Sequence, residues 1–183
     1  MKNLYETILS SKTKYTGIII NVRQDTVQAD GKVCLREVVE HPGGVVVIAM
    51  TDDNKIILIK QWRHPIGQEL IELPAGKIEK GERGEDPFES AKRELREETG
   101  YSALHWEDMG YIFTTPGFCD EKLYFYRATG LILGQTDFDE GEVIHTFMVD
   151  FDEAVEMVKT GKIQDAKTIA GIFFALKVSN EQL

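Results

Sequence analysis

Residues 73–101 read LPAGKIEKGERGEDPFESAKRELREETGY, and this stretch decides how the chain folds. It contains a helix with unusually complete boundary signals. Asp86, Pro87 and Glu89 supply the acid, the proline and the glutamate that favour a helix start. Gly100 stands where a helix C-terminus favours glycine. The sequence therefore predicts a helix between these signals, preceded by a glycine-rich loop.

Three carboxylates fall on one face of this helix. At about 100° per residue, Glu94, Glu97 and Glu98 share an arc of about 100°. Like charges one turn apart cost a helix a few tenths of a kcal/mol per pair, so their clustering favours a cation among them. Clustered hard oxygen ligands suit Mg²⁺ or Mn²⁺, which keep several waters and bridge to substrate phosphates. The helix is therefore a candidate metal site.

A plainer interpretation of the same helix is a solvated face stabilised by ion pairs. Arg93 and Glu97 are four residues apart, as such pairs require. On the helix alone this interpretation is favoured over a metal site. The glycine loop, the capped start and the glycine stop shift the balance, because loop, helix and acidic face together form a platform for metal and phosphate.

The composition limits the classes of partner. The chain has 183 residues, a formal net charge of −10, 42% hydrophobic and 28% charged residues, which is typical of a globular domain with a real core. Residues 79–98 hold eight acids and five bases, and residues 137–156 hold eight acids and no Lys or Arg, so the acidity is concentrated in two segments. An acidic chain disfavours nucleic acid as a partner.

The sequence also bears on location. No run reaches the ~18 apolar residues of a membrane span, and the first residues lack an apolar signal region, so no membrane partner is expected. Cys34 and Cys119 lie 85 positions apart without CxxC spacing, which favours a reducing compartment. We therefore expect a cytoplasmic protein.

Outside the central helix the pattern predicts mixed α and β structure with no repeat. Residues 16–27 and 33–40 are predicted to form a hairpin, and residues 44–50 and 55–62 a second hairpin with strands buried on both faces. A domain boundary is expected near residue 40. The remaining predicted strands are 68–73, 106–114, 122–129 and 143–149, and the remaining predicted helices are 151–159 and 166–176.

The central segment resembles the Nudix box, the motif of the Nudix hydrolase family. That motif is a glycine, five residues, a glutamate, seven residues, then Arg-Glu-apolar-x-Glu-Glu-x-Gly-apolar. Residues 93–101 match the second half at every position, and Gly76 matches the opening glycine. Three extra residues lie in the intervening loop. Glu85 keeps the spacing to the helix and Glu82 keeps the spacing to the glycine, so the loop glutamate has two candidates.

The resemblance covers roughly residues 33–176 and points to the ADP-sugar pyrophosphatases of the family. Pro116 lies sixteen residues past Gly100, the position at which that subfamily characteristically carries proline. Further segments similar to that subfamily are 61–63, 69–77, 115–121, 139–143 and 165–168.

The resemblance implies a fold and an assembly. The fold is the Nudix α/β/α sandwich with a mixed sheet, preceded here by an N-terminal antiparallel β-hairpin region. Residues 1–40 would form that N-terminal region and residues 41–183 the Nudix hydrolase domain. The subfamily implies a homodimer with an exchanged N-terminal sheet, so dimerisation is the expected role of residues 1–40.

The resemblance also implies the roles of individual residues. Arg93 is expected to orient Glu97 or the loop glutamate. The expected ligands of Mg²⁺, for which Mn²⁺ could substitute, are the Ala75 carbonyl, Glu94, Glu98, Glu97 and Glu142. The expected catalytic residues are Glu140 or Glu142, as general base, and Glu97. The expected substrate-binding residues are Arg63 for the diphosphate, Arg36 in a neighbouring subunit's site, Thr115, Pro116, Gly117 and Glu121.

The expected reaction is Mg²⁺-dependent hydrolysis of the pyrophosphate bond of a small nucleotide sugar, ADP-ribose, to AMP and ribose 5-phosphate. One alternative is a Nudix hydrolase of another nucleoside diphosphate derivative, such as another nucleotide sugar or an oxidised nucleotide. A second is a nucleotide sensor that has lost catalysis. Three retained, mutually repelling carboxylates disfavour the sensor.

Overall fold

The computed structural model describes residues 4–79, 84–138, 141 and 143–181, with the backbone alone for 177–181. The mixed α and β structure expected from the sequence is confirmed. The strands are β1 (Glu6–Thr16), β2 (Asn21–Ala29), β3 (Lys32–Glu40), β4 (Gly44–Ala49), β5 (Lys55–Arg63), β6 (Gln68–Glu72), β7 (Ala75–Lys77), β8 (Tyr101–Phe113), β9 (Lys122–Leu133) and β10 (Ile144–Asp150). The helices are α1 (Pro87–Thr99), α2 (Phe151–Lys159) and α3 (Ala166–Glu181).

The first three strands form an antiparallel sheet in the order β1-β2-β3. The turn between β2 and β3 has positive φ at both Asp30 (48°) and Gly31 (78°), the conformation of a tight hairpin turn. The predicted hairpin is thus present, but the predicted strand at 16–27 is wrong: β2 begins at Asn21, and β1 precedes it. All eleven residues of β1 are exposed. Its sequence, ETILSSKTKYT, therefore lacks the regular alternation of apolar and polar residues that would indicate a strand.

The remaining strands form two sheets. One is a mixed four-stranded sheet in the order β7-β4-β9-β8, in which β4 runs parallel to β9 and antiparallel to β7. The other is an antiparallel sheet in the order β10-β5-β6. Strand β4 lies between β7 and β9, and all six of its residues are buried.

The predicted hairpin between 44–50 and 55–62 is wrong, although both strands exist and are largely buried. The turn between them closes with a hydrogen bond from the Thr51 N–H to the Lys55 carbonyl (2.9 Å). After a single bridge between Met50 and Ile56, the two strands part and enter different sheets. A strand that is apolar on both faces can pair with several partners. The fact that β4 and β5 are neighbours in the sequence therefore does not make them pair with each other.

Alternate side chains of β4 point to opposite layers of helices. Val46 and Ile48 pack in a core with residues of α2 and α3, including Phe151 and Ile172. Val45, Val47 and Ala49 pack in a second core that includes Ala91 and Leu95 of α1. The sheet therefore lies between α1 on one side and α2 with α3 on the other, which is the predicted α/β/α sandwich.

Helix α3 approaches the β layer closely at Gly171. A Cβ atom there would lie 2.4 Å from Cδ1 of the fully buried Leu73, so only glycine fits without displacement of a neighbour. This contact seats the helix that follows the predicted 165–168 motif. None of the helices in the described part of the chain is long and apolar enough to cross a membrane.

The chain divides into two compact units, one of Met1–Gly43 with Phe113–Lys122 and one of Gly44–Ile112 with Leu123–Leu183. Within the first unit, Val39 forms an isolated parallel bridge with Cys119. We refer to these as the N-terminal unit and the sandwich unit. The role of residues 1–40 in dimerisation stays a prediction.

Candidate metal and pyrophosphate site

Helix α1 begins and ends at the predicted residues. The Asp86 carboxylate accepts a hydrogen bond from the Phe88 N–H (2.7 Å), and Pro87 occupies the first turn. Gly100 ends the helix with φ 76°, and its N–H donates to the Arg96 carbonyl (2.8 Å). These two caps fix the helical position of each glutamate in between.

Glu94 and Glu98 lie against the loop that precedes the helix in sequence. Oε2 of Glu98 accepts a hydrogen bond from the Ala75 N–H at 2.9 Å, and this glutamate is only 3% exposed. A Cβ atom on Gly76 would lie 2.0 Å from the carboxyl carbon of Glu94. Gly76 is therefore required for the carboxylate to approach the backbone. The structure brings together the predicted metal ligands Ala75, Glu94 and Glu98.

Arg93 contacts three glutamates. Its Nε and Nη2 donate to the two oxygens of Glu85 at 3.0 and 3.1 Å, and its Nη1 lies 2.9 Å from both Glu94 Oε1 and Glu97 Oε2. The expectation that Arg93 orients Glu97 or the loop glutamate is met by both contacts. Glu85 is the loop glutamate that Arg93 holds; Glu82 lies outside the described residues.

The Arg93 guanidinium changes the acidity of Glu85. Its hydrogen bonds lower the pKa of that carboxyl to about 2, against the opposing effect of partial burial. A hydrogen bond from the Glu79 N–H to Oε2 of Glu85 (3.1 Å) acts in the same direction. Glu85 also raises the pKa of Arg93 above its ordinary value. Glu85 therefore remains a carboxylate throughout the physiological range and holds the loop onto α1.

Glu97 sits between two arginines. It pairs with Arg93 at 2.9 Å and with Arg96 at 3.0 Å. Within the described ranges, no group of three or more His, Cys, Asp or Glu side chains is arranged to hold a metal ion. The ligand roles of Glu94, Glu97 and Glu98 all stay predictions; Glu94 and Glu98 are the two that contact the loop at Ala75 and Gly76.

The two remaining predicted carboxylates belong to the segment of sequence before β10. Glu140 and Glu142 lie outside the described residues. The backbone N–H of Asp137 donates to the Glu97 carbonyl at 3.0 Å, so the chain is attached to the end of α1 three residues before Glu140.

The predicted diphosphate contact, Arg63, is paired with an acid that sequence reasoning missed. Its Nε donates to Oε1 of Glu72 at 2.6 Å, and its Nη2 donates to Oε2. Glu72 is fully buried and also pairs with Lys167. A signal was present in the sequence, because a glutamate inside the apolar run 70–75 has to be paired if it is buried.

The other predicted substrate-binding residues belong to the N-terminal unit. The Thr115 carbonyl accepts hydrogen bonds from the N–H groups of Phe118 (3.1 Å) and Cys119 (2.9 Å), which makes the turn that contains Pro116 and Gly117. Glu121 follows this turn and accepts a hydrogen bond from the Thr114 hydroxyl (2.6 Å). Arg36 forms a bidentate pair with Glu6.

The donor set of the sandwich unit fits a hard divalent cation. Two carboxylates one turn apart meet a backbone loop at which a glycine leaves the required space. Mg²⁺ retains several waters and needs only one or two protein carboxylates, so a third preformed ligand is not required. Such a donor set suits a metal ion that assists a reaction at phosphate oxygens.

Comparison with known proteins identifies the class. The NUDIX domain family model matches residues 40–172. A crystal structure described as an ADP compounds hydrolase has a TM-score of 0.86 and 21% identity, and the match covers 100% of this chain and 98% of that one. The chain belongs to the Nudix family and is a Nudix hydrolase.

Proteins similar to this chain include two ADP-ribose pyrophosphatases. ADP-ribose pyrophosphatase of Bacillus subtilis is 38% identical, with 94% of this chain and 93% of the relative covered. A methanol dehydrogenase activator of Bacillus methanolicus is also 38% identical, with 91% and 90% covered. ADP-ribose pyrophosphatase of Mycobacterium tuberculosis is 41% identical, with 92% and 81% covered. Nudix ADP-ribose pyrophosphatases generally use a divalent metal ion.

Proposed function

We propose that this chain is an ADP-ribose pyrophosphatase that hydrolyses ADP-ribose to AMP and ribose 5-phosphate with Mg²⁺ as the cofactor. The observation that carries the proposal is the approach of Glu94 and Glu98 to the loop at Ala75 and Gly76. The similarity to two ADP-ribose pyrophosphatases over more than nine-tenths of this chain supports the choice of substrate. Mn²⁺ is the expected substitute, since it accepts the same oxygen ligands.

Different residues of the chain would bind the cation, bind the diphosphate and accept the proton of the attacking water. Glu94, Glu98 and the Ala75 carbonyl would hold the cation, which when bound polarises phosphate oxygens and lowers the pKa of water. Arg63 would bind the diphosphate through guanidinium donors that Glu72 does not use. The attacking water oxygen forms a bond to one phosphorus, the bond from that phosphorus to the bridging oxygen breaks, and Glu140 or Glu142 takes the proton of the water.

The N-terminal unit is proposed to contribute to substrate selection and assembly. Thr115, Pro116, Gly117 and Glu121 are proposed to bind the substrate. Arg36 is proposed to act in the site of the second subunit of a homodimer. A cytoplasmic location stays a prediction from the two cysteines, both of which are free in the structure.

A substrate panel tests the proposed activity. ADP-ribose, ADP-glucose, GDP-mannose, NADH, diadenosine polyphosphates and 8-oxo-dGTP would be compared with Mg²⁺, with Mn²⁺ and with EDTA. We expect the highest kcat/KM for ADP-ribose, equimolar release of AMP and ribose 5-phosphate, and no turnover in EDTA. A higher kcat/KM for any other compound would overturn the substrate, and no turnover of any of them would favour a binding protein.

Glu98→Gln tests the metal site. We expect hydrolysis to fall by at least about 100-fold, because even an outer partner of a metal ligand is worth about 10- to 100-fold. The melting temperature should change little, since the glutamine oxygen can still accept the hydrogen bond from the Ala75 N–H. The matched control is Glu89→Gln on the first turn of the same helix, where the side chain is 62% exposed and pairs with Lys92. Full activity in Glu98→Gln would refute the assignment.

A further inference from the structure

Glu72 is a buried acid at the end of strand β6, and its surroundings make it the centre of a charged cluster in the sandwich unit. Its side chain is 1% exposed. It accepts two hydrogen bonds from Arg63 and one from Lys167, which lies 95 positions further along the chain. Burial alone would raise the pKa of Glu72, but the two cations outweigh burial and hold its pKa below the ordinary value. The acid is therefore ionised and shared by both cations.

Lys167 is held in place from its other side by Asp165. The Lys167 Nζ donates to Oδ2 of Asp165 at 2.9 Å. The same oxygen accepts hydrogen bonds from the N–H (2.9 Å) and the hydroxyl (2.6 Å) of Thr168, which stabilises the start of α3. The Lys167 ammonium group is thus held by a residue of the helix start as well as by Glu72. Its side chain is only 14% exposed.

The helix start also supports the loop at the metal site. The buried Thr168 hydroxyl accepts a hydrogen bond from the Leu73 N–H at 2.8 Å. Two residues after Leu73, the Ala75 N–H donates to Glu98. One short segment, Asp165 to Thr168, therefore supports both Arg63 and the loop that meets the glutamates.

The charges of this cluster balance. Arg63 and Lys167 supply two positive charges, and Glu72 and Asp165 supply two negative charges. Arg63 has five N–H donors. Glu72 accepts from one on Nε and one on Nη2, and the Arg63 side chain remains 37% exposed. Without Lys167, the three residues Arg63, Glu72 and Asp165 would together carry a net charge of −1 and would repel an anionic ligand.

We propose that Lys167 is a positioning residue for diphosphate binding: through the shared Glu72 it keeps the Arg63 guanidinium in place and leaves its positive charge available to the ligand. The inference rests on the proposed role of Arg63 in binding the pyrophosphate. Lys167 itself need not touch the substrate. The desolvation of Glu72 and Lys167, which are 1% and 14% exposed, offsets much of their attraction, and this weakens a purely structural reason for the cluster.

The test replaces Lys167 with methionine, which keeps the length and the apolar stem of the side chain. We expect KM for ADP-ribose to rise on the order of tenfold, the effect of one unit charge near the ligand in a medium of intermediate dielectric, with kcat within twofold. The matched control is Lys159→Met on α2, where the lysine is 63% exposed and pairs with Glu156. It should leave both constants unchanged.

A binding measurement separates this inference from the proposed function. Calorimetric titration with ADP, a diphosphate that is not the substrate, should show affinity about tenfold weaker in Lys167→Met than in the wild type. This result is expected even if another nucleotide sugar proves to be the preferred substrate. Failure of the wild type on ADP-ribose would overturn the proposed substrate, whereas unchanged ADP affinity in a folded Lys167→Met chain would overturn the role of Lys167.

Thermal unfolding distinguishes positioning from stability. A purely structural role predicts a lower melting temperature with unchanged KM and ADP affinity at temperatures where the variant is folded, and that outcome would refute the proposal. Lys167→Gln covers the case in which the methionine variant does not fold. Its amide can still donate to Glu72 but has no charge, so ADP should again bind more weakly. Wild-type affinity in that variant would equally refute the proposal.

Discussion

Arg93 offsets the repulsion between two of the three neighbouring glutamates of α1. It contacts Glu94, Glu97 and the loop residue Glu85 at about hydrogen-bond distance. The plain interpretation of the helix, an ion-paired surface, describes the contacts of both Glu94 and Glu97 with Arg93. The metal interpretation fits Glu94 and Glu98, which turn toward the loop at Gly76. Glu94 takes part in both arrangements, so an ion pair with Arg93 and a place at the proposed metal site are not alternatives for this residue.

Glu85→Gln tests the Arg93 contact through the pH dependence of stability. The pKa of Glu85 is about 2 in the folded chain against an ordinary value of 4.5. A depressed pKa contributes stability above the unfolded value, and this contribution is lost as pH falls from about 4.5 through about 2. The difference in free energy of unfolding between wild type and variant should therefore shrink over that range. Urea unfolding at pH 7 to 2.5 measures it.

Arg93→Gln provides the partner measurement. Because both substitutions remove the same ion pair, it should also reduce the loss of stability between pH 4.5 and 2.5. Wild-type pH dependence in both variants would show that the pair does not stabilise the fold.

At the scale of elements, local signals and non-local contacts differ in how well the sequence reveals them. The caps at Asp86 and Gly100 act within a few residues, so the bounds of α1 could be predicted. The pairing of β4 with β9 joins residues about 80 positions apart, and nothing in a fully apolar strand indicates which partner it takes. The contact between Glu72 and Lys167 spans 95 positions, and nothing in the local sequence of either residue indicates the other as its partner.

Gly171 in helix α3 allows an element-scale prediction. In an open helix, Gly→Ala would stabilise by about 1 kcal/mol through helix propensity. Here the new Cβ would meet Leu73 Cδ1 at 2.4 Å within a filled core, and such overpacking costs about 1–3 kcal/mol. We therefore expect Gly171→Ala to lower the free energy of unfolding by roughly 1 kcal/mol. Chemical denaturation measures the change; a more stable variant would show that α3 can move away from the sheet.

At the scale of the whole molecule, the N-terminal unit exposes an unusual amount of apolar surface. Exposed apolar side chains that are concentrated on one unit are typical of an interaction surface. This supports the proposed homodimer and suggests that the three-stranded sheet is its contact. The large apolar side chains exposed in this unit include Leu4, Tyr5, Ile8, Leu9, Tyr15, Ile18, Ile19, Val33 and Leu35.

Charge introduced on strand β3 tests the homodimer. Val33 and Leu35, 66% and 59% exposed, lie on one face of the strand, so Val33→Glu with Leu35→Glu would place two carboxylates in the proposed contact. Light scattering should give twice the 20.7 kDa chain mass for the wild type and the single mass for the variant. The matched control, Leu133→Glu at the end of β9 in the sandwich unit, replaces a side chain that is 69% exposed and should leave the dimer intact.

The activity of that variant tests whether the second subunit completes the site. If Arg36 reaches the neighbouring subunit's substrate, the monomeric variant should lose affinity for ADP-ribose while its folded fraction stays unchanged. Arg36→Gln should reproduce a rise in KM without dissociation, because its recorded partner, Glu6, belongs to its own chain. Full activity in the monomer would confine the site to one chain, and a monomeric wild type would contradict the assembly itself.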